Sequence, residues 1–181
     1  MNRFAILIAS TTRGSNPTNV NETHLWAYIS SLVASLDTEQ HTYSYSIYVG
    51  VDDDDSFYHK TGVQNEFQDR IRTFTKYKLK LKFSSAPSCK GNVVKVWNRL
   101  FVEAHSAGNE YFHQCDDDIQ YLDSGWVNHA CCLLKKNNNV GVVGLLDVNG
   151  PKNLFTQSIV HKTHFDIFRF YFHHDLKNWF C

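Results

Sequence analysis

Apolar and polar positions follow two repeating patterns along the chain, short apolar runs and stretches in which apolar residues recur every three to four positions. The wholly apolar run Phe4–Ala9, followed by a polar segment, predicts a buried first strand and a loop. Residues 19 to 36 have the three-to-four spacing and predict an amphipathic helix. The run Tyr43–Val51 predicts a second strand that ends at Asp52.

Strand and helix patterns keep alternating beyond this point. The further predicted elements are a helix around Phe67, Ile71 and Phe74, a half-exposed strand with alternating lysines over Lys76–Lys82, a helix over Gly91–Ala107, a strand over Glu110–Cys115, a helix over Trp126–Leu134, a buried strand over Val140–Leu146 and a turn at Asn149-Gly150-Pro151. The last thirty residues are rich in aromatics and histidines, and their pattern leaves helix and strand open. This order predicts an α/β fold with a mostly parallel central sheet and helices on both faces.

Composition and charge narrow the function classes. A chain of 181 residues with 43% hydrophobic residues suits one domain, spanning residues 1–181. The formal net charge of zero gives no reason to expect a nucleic-acid partner, and no apolar stretch is long enough to span a membrane. The five cysteines lack the CxxC spacing of zinc sites, which favours a reducing compartment. We therefore predict a cytoplasmic protein without a membrane span.

Two runs of aspartates, 116–118 and 52–55, each follow a predicted strand. Carboxylates this crowded repel one another, so a folded protein usually holds a cation among them. In mostly parallel sheets, ligands bind beyond the carboxyl ends of the strands. The segment Ser10–Arg13 also follows a strand, so three polar segments are expected to meet at one edge of the sheet. The pattern predicts a metal and ligand site there.

The sequence combines Asp116-Asp117-Asp118 at a strand end with an apolar first strand, an acidic second-strand end and a helix ahead of the motif strand. In these features the chain resembles a glycosyltransferase of the GT-A fold. That Rossmann-like family has an Asp-x-Asp signature and binds nucleotide-diphosphate sugars. The resemblance implies one GT-A domain that transfers a sugar, with a UDP-sugar as the expected donor, to a carbohydrate-bearing acceptor on a glycan, protein or lipid. It also implies Mn²⁺ or Mg²⁺ as cofactor, since hard cations prefer oxygen ligands.

The resemblance assigns roles to residues of this chain. Asp118 would bind the metal directly, and Asp116 would contact the metal through water or the ribose. The expected donor-binding residues are Thr11, Thr12, Arg13, Asp52, Lys95, Asn98, Asp116 and Asp117. His161 and His164 are candidates for a further metal ligand, while Asp53, Asp54 and Asp55 are expected to form a solvated acidic loop.

Inverting enzymes of this fold normally use an acidic catalytic base late in the chain. The large apolar residues 179–181 make an unusual terminus, which predicts a domain truncated at its carboxyl end and a base beyond Cys181. Within the chain, Asp147 and Asp166 are the substitutes.

Other interpretations stay open at this point. A sugar-phosphate nucleotidyltransferase shares the sheet and the metal chemistry, but it would need a basic, glycine-rich loop after the first strand. A phosphatase with Asp116 as nucleophile and Asp118 as acid, and a non-catalytic domain that binds a nucleotide or carbohydrate, are further alternatives. Tyr121 and Trp126 suit either an acceptor platform or the core.

Overall fold

A computed structural model gives the structure of the protein and describes residues 1–36, 42–74, 79–150 and 155–177. Strands and helices alternate for most of these ranges. In chain order the elements are β1 (Asn2–Ser10), a 3-10 helix (Val20–Glu22), α1 (His24–Ser35), β2 (Tyr43–Val51), α2 (Thr61–Phe74), β3 (Lys80–Ser85), α3 (Val93–Ser106), β4 (Tyr111–Asp116), α4 (Trp126–Lys136), β5 (Val143–Gly144), β6 (Ser158–His161) and α5 (Lys162–Phe168). None of the helices in these ranges combines the length and apolar character that a membrane crossing requires.

The strands form one six-stranded sheet in the order β3-β2-β1-β4-β6-β5. The pairs β1/β2, β1/β4 and β2/β3 are parallel, whereas β6 runs antiparallel to β4 and to β5. The predicted α/β fold with a mostly parallel sheet is confirmed. The last thirty residues, which the pattern left open, contribute the antiparallel strand β6 and the short helix α5.

Both faces of the sheet are covered, so the central strand β1 is apolar at successive positions. Phe4, Ile6 and Ile8 pack on the face covered by α1, α2 and α4. Ala5 and Leu7 pack on the opposite face, against α3. A strand buried on both sides loses the polar alternation of a surface strand, which explains the continuous run in the sequence.

The predicted helix at 19–36 begins later than expected. Asn19 caps the 3-10 helix, and the Thr23 side chain then accepts a hydrogen bond of 3.1 Å from the backbone N–H of Trp26. Because Thr23 has extended backbone angles, it ends one helix and begins the next. The α-helix therefore starts at His24.

Two predicted strands are shorter or shifted. The strand expected over Val140–Leu146 was wrong in length and burial, since only Val143 and Gly144 pair with β6 and Leu146 is 77% exposed. The strand predicted over Lys76–Lys82 lies at Lys80–Ser85, and residues 76–78 lie outside the described ranges. Pro151 of the predicted turn and the terminal residues 178–181 also lie outside these ranges. As predicted, the Lys80–Ser85 strand is half-exposed, and it forms one edge of the sheet.

Gly50 in β2 provides a test of how closely α3 packs against the sheet. A Cβ atom at this position would lie 2.4 Å from Cγ1 of Val96 in α3. We expect Gly50→Ala to destabilise the fold by about 1 to 3 kcal/mol through overpacking, which lowers Tm by roughly 2 to 4 °C per kcal/mol. Differential scanning calorimetry measures this change.

The matched control is Gly62→Ala in the first turn of α2. No heavy atom lies within 4 Å of the added Cβ there, and its φ is not in the left-handed region. This variant is expected to keep or slightly raise Tm, because alanine is the better helix former. Equal Tm changes for the two variants would contradict the close seating of α3.

Candidate functional site

A cavity of about 1250 Å³ opens at the carboxyl ends of β1, β2 and β4. The parallel register creates it, because Ala9 pairs with Gly50 on one side and with Asp116 on the other. The residues that follow these positions therefore emerge at one edge of the sheet, as the sequence predicted for the three polar segments. The volume exceeds the roughly 300 to 1000 Å³ of most small-molecule sites, so it has room for two substrates.

The described residues that line the cavity are strongly acidic. The carboxylates are those of Asp52, Asp116, Asp117, Asp118, Asp123 and Asp147. Arg13 is the single lysine or arginine among these lining residues, and its guanidinium already lies 2.8 Å from Asp52. An anionic ligand therefore needs a bound cation, or displacement of this ion pair, to offset the charge.

The three aspartates after β4 differ in their surroundings. Asp117 accepts a short hydrogen bond from the Ser10 hydroxyl, which itself lies 3.1 Å from the Tyr58 hydroxyl. Burial raises the pKa of Asp116 to about 7, with further contributions from the charges of Asp118 and Asp117. Burial also raises the pKa of Asp117, against the effect of its Ser10 hydrogen bond. Asp118 is exposed to the cavity.

The carboxylates of Asp116 and Asp118 suit a divalent cation. Within the described ranges, neither accepts a hydrogen bond nor forms an ion pair, so their lone pairs are available. Burial is the main cause of the raised pKa of Asp116, the charges of Asp118 and Asp117 add to it, and no lysine or arginine of the described residues pairs with this carboxylate. No three His, Cys, Asp or Glu side chains of the described ranges converge on one point, so a cation here would keep several water ligands. Magnesium and chemically similar ions are commonly bound in this way.

The loop after β1 is held by a residue that the sequence analysis misjudged. Asp55, expected in a solvated loop, is only 6% exposed and accepts hydrogen bonds from the backbone N–H and the hydroxyl of Thr12, at 2.6 and 2.9 Å. It also accepts from the backbone N–H groups of Phe57 and Tyr58, at 3.2 and 3.1 Å. A carboxylate that satisfies this many donors tolerates burial. Asp53 and Asp54 are exposed, as predicted.

The expected donor-binding residues of this loop divide into two groups. Thr11 and Arg13 line the cavity, as does Asp52. Thr12 does not, because both of its polar donors point to Asp55. Nucleotide contact by Thr12 is therefore corrected to a role in shaping the loop, whereas contacts by Thr11, Arg13 and Asp52 remain predictions.

Lys95 and Asn98 on α3 do not line the cavity, contrary to the expected donor contact. The amide nitrogen of Asn98 donates to the carbonyl of Phe172 at 2.8 Å. Its amide oxygen accepts from the backbone N–H groups of Tyr171 and Phe172, both at 2.9 Å. Asn98 thus anchors the segment after α5, and Lys95 points to solvent.

The predictions for His161, His164 and Asp166 fail because these residues lie away from the cavity. Antiparallel pairing sets His161 opposite Tyr111, at the start of β4, whereas Asp116 lies five residues further on, about 16 Å away. His161 caps α5, and Nε2 of His164 lies 3.2 Å from the carbonyl oxygen of Tyr171. Neither histidine shares a metal with Asp116. Asp166, on the same short helix, also lies outside the cavity lining.

Asp147 does line the cavity. Its Oδ1 accepts hydrogen bonds from the backbone N–H groups of Asn149 and Gly150, at 2.9 and 3.0 Å. These bonds fix the carboxylate at the rim, and its catalytic role stays a prediction.

Sequence reasoning missed three lining residues. Asn92 caps α3 by accepting from the backbone N–H of Lys95 at 3.0 Å, and a cap signal before the valine run marks it. It directs the amino-terminal end of α3, with its partial positive charge, to the cavity. Gln157 and Cys89 reach the cavity through long-range pairing that no local pattern shows.

No family model matches the sequence, and no curated protein matches it either. A solved structure of a 4-diphosphocytidyl-2C-methyl-D-erythritol synthase from Anaerococcus prevotii is 12% identical with a TM-score of 0.49, over 90% of this chain and 72% of that one. A cytidylyltransferase from Leptospira borgpetersenii is 10% identical with a TM-score of 0.51, over 92% of this chain. This chain spans 63% of the Leptospira enzyme. The Leptospira likeness supports the α/β fold described above.

The raised pKa of Asp116 can be tested through the pH dependence of the protein's stability. Its pKa rises from 3.8 to about 7 on folding, so the folded state binds the proton more tightly than the unfolded chain. Stability is therefore lost as the pH rises from 3.8 to about 7. Without divalent cations, Asp116→Asn is expected to stabilise the protein by on the order of 2 to 4 kcal/mol at pH 8, and by less at pH 5.

Urea unfolding in EDTA at both pH values measures this difference. Asp123→Asn, an exposed carboxylate at the same cavity, is the control and is expected to change stability little at either pH. An Asp116→Asn effect on stability that is equal at the two pH values would show that folding does not raise the pKa of Asp116.

Proposed function

We propose that this chain is a divalent-cation-dependent glycosyltransferase that moves a sugar from a nucleotide-diphosphate donor to an acceptor. The observation that carries the proposal is the cavity at the carboxyl ends of β1, β2 and β4, whose described lining has six carboxylates and one arginine. The carboxylates of Asp116 and Asp118 accept no hydrogen bond within the described ranges. A diphosphate in this cavity needs a bound cation, or displacement of the ion pair between Arg13 and Asp52, to offset the charge. Mn²⁺ or Mg²⁺ between Asp116 and Asp118 would neutralise the departing diphosphate.

The donor would lie along the edge formed by β1 and β2. Asp52 would contact the ribose or base, and Arg13 would exchange part of its ion pair with Asp52 for the donor phosphates. The amino-terminal end of α3 at Asn92 adds N–H groups and the positive end of a helix dipole. These groups favour an anion without adding a full charge.

The acceptor would occupy the other part of the cavity, near Asp147. In the proposed reaction, an acceptor oxygen forms a bond to the anomeric carbon and the bond from that carbon to the diphosphate breaks. The acceptor proton passes to a carboxylate base, and Asp147 is the described candidate because it is fixed at the rim.

Nucleotidyl transfer is the second candidate, and the structural likeness favours it. The Leptospira neighbour is a cytidylyltransferase. A nucleoside triphosphate, however, would bring more negative charge into a cavity whose described lining has one basic side chain. The loop after β1, Ser10-Thr11-Thr12-Arg13-Gly14, supplies one cation rather than a basic cradle.

Thermal shifts with UDP, GDP, dTDP and CMP, each with and without manganese, test the proposal. Ligand at a hundredfold its dissociation constant adds about 2.7 kcal/mol, so Tm should rise by roughly 5 to 10 °C. We expect a manganese-dependent shift with one nucleoside diphosphate, lost in Asp118→Asn. The control Asp166→Asn, an exposed carboxylate away from the cavity, should keep the shift.

Turnover separates the candidate functions. Release of nucleoside diphosphate from a sugar nucleotide supports glycosyl transfer, whereas release of pyrophosphate from CTP and a sugar phosphate supports nucleotidyl transfer. Binding without either product indicates a non-catalytic nucleotide-binding domain. No shift with any nucleotide would exclude the proposal for this chain.

A further inference from the structure

Tyr121 lies in the segment between β4 and α4, three residues after Asp118. Its ring lines the cavity and stacks on Trp126, with ring centroids 4.9 Å apart and planes at 15°. Its hydroxyl points the other way, into the protein, 2.7 Å from Nε2 of His113 and 3.0 Å from the hydroxyl of Tyr28. The Tyr121 hydroxyl thus ties the segment that carries the aspartates to the interior.

The hydrogen bonds of His113 determine its tautomer. Nδ1 lies 3.1 Å from the carbonyl oxygen of Ser158, which can only accept, so Nδ1 carries a hydrogen. His113 is fully buried, and burial lowers its pKa to about 4, so the ring is neutral at pH 7. A neutral imidazole has one N–H group, so Nε2 is an acceptor and the Tyr121 hydroxyl donates to it.

This assignment sets the direction of the neighbouring bonds. The Tyr121 proton is committed to His113, so the Tyr28 hydroxyl donates to the oxygen of Tyr121. The Tyr28 proton is donated to Tyr121, so in the 3.0 Å pair of Tyr28 with Cys115 the thiol is the donor. The same thiol also lies 3.7 Å from the carbonyl oxygen of Leu7, which can only accept. Burial raises the pKa of both phenols, so both keep their protons at pH 7.

We propose that His113 and Tyr121 are positioning residues for the candidate site, linked in a one-directional hydrogen-bond chain that runs from Cys115 through Tyr28, Tyr121 and His113 to Ser158. The proposal rests on the proposed function, because the site it serves is the cation and nucleotide site at Asp116 and Asp118. In this proposal, the two residues act through the segment that carries Asp118.

The chain suits this role because it joins separate elements. His113 and Cys115 lie on β4, Tyr28 on α1 and Ser158 on β6, while Tyr121 belongs to the segment itself. The backbone N–H of Tyr121 also donates to the Ser31 hydroxyl on α1, at 3.3 Å. Another rotamer of Tyr121 would leave the buried Nε2 of His113 and the buried Tyr28 hydroxyl without these partners.

The first test compares two tyrosines. Tyr121→Phe is expected to weaken manganese-dependent binding of a nucleoside diphosphate by about tenfold or more, the usual effect of losing groups that orient metal ligands. Tyr171→Phe is the matched control. Its buried hydroxyl donates to the same Ser158 carbonyl at 2.8 Å, but its ring packs on the opposite face of the sheet. This variant should lose similar stability and keep wild-type affinity; equal affinity losses in the two variants would overturn the proposal.

Conservative variants of His113 give a second readout. Gln at this position can place an acceptor oxygen near the Nε2 position, within reach of Tyr121. Asn can replace the Nδ1 donor to Ser158 but is too short to reach Tyr121. Wild-type affinity in His113→Gln together with reduced affinity in His113→Asn supports positioning through Tyr121. Wild-type affinity in His113→Asn together with reduced affinity in His113→Gln overturns it.

Nitrogen NMR tests the chain without any ligand. The ¹⁵N shifts of His113 are expected to show a protonated Nδ1 and a bare Nε2, and the opposite tautomer would overturn the assigned direction. Amide hydrogen exchange at residues 117–121 should accelerate in Tyr121→Phe and not in Tyr171→Phe. If the wild-type protein binds no nucleotide with manganese, the proposed function is wrong, but the positioning role can still be tested by hydrogen exchange. Unchanged exchange rates at residues 117–121 in Tyr121→Phe would then overturn that role.

Discussion

The parallel pairing of β1 with both β2 and β4 is the constraint on which the rest of the structure depends. It aligns Ala9, Gly50 and Asp116 in one row, so each chain segment that leaves the sheet there enters the same space. It also buries β1 on both faces, which requires an apolar run and leaves polar chemistry to the residues that follow it. The cavity is therefore a consequence of strand direction as much as of its lining residues.

Concentrated negative charge is the second constraint at this edge. Each aspartate is handled differently: Asp55 is buried among donors, Asp117 is bonded to Ser10, and Asp52 is paired with Arg13. Asp116 and Asp118 have no such compensation from the described residues. The fold thus gives partners to the carboxylates that shape the loops and leaves Asp116 and Asp118 with free lone pairs facing the cavity.

Sequence patterns predicted the elements whose information is local. The apolar run of β1, the period of α3 and the aspartates after β4 each lie within one segment, and their placement in the sheet follows from the alternation of strands and helices. The errors concern long-range partners. Asp55 is a core residue because Thr12 donates to it, and His161 lies far from Asp116 because β6 runs antiparallel. No short window contains either fact.

The hydrogen-bond chain from Cys115 to Ser158 also depends on long-range partners that the sequence pattern does not reveal. His113 and Cys115 look like ordinary interior positions of a strand in the sequence, and Tyr121 suits either an acceptor platform or the core. The direction of the hydrogen bonds that join them becomes visible only when α1, β4 and β6 are brought together. Buried polar residues can thus orient a site through a single residue, Tyr121, that lines it.

The two edges of the sheet also bear on how copies of the protein meet. On β3, the lysines at 80 and 82 are exposed, and the Lys82 ammonium lies 2.6 Å from a carboxylate oxygen of Glu103 on α3. At the other edge, β5 offers only two paired residues. Charged or very short edge strands resist the addition of a further strand. Self-association through a continuous intermolecular sheet is therefore disfavoured at both ends, and stable assemblies would have to use helical or loop surfaces.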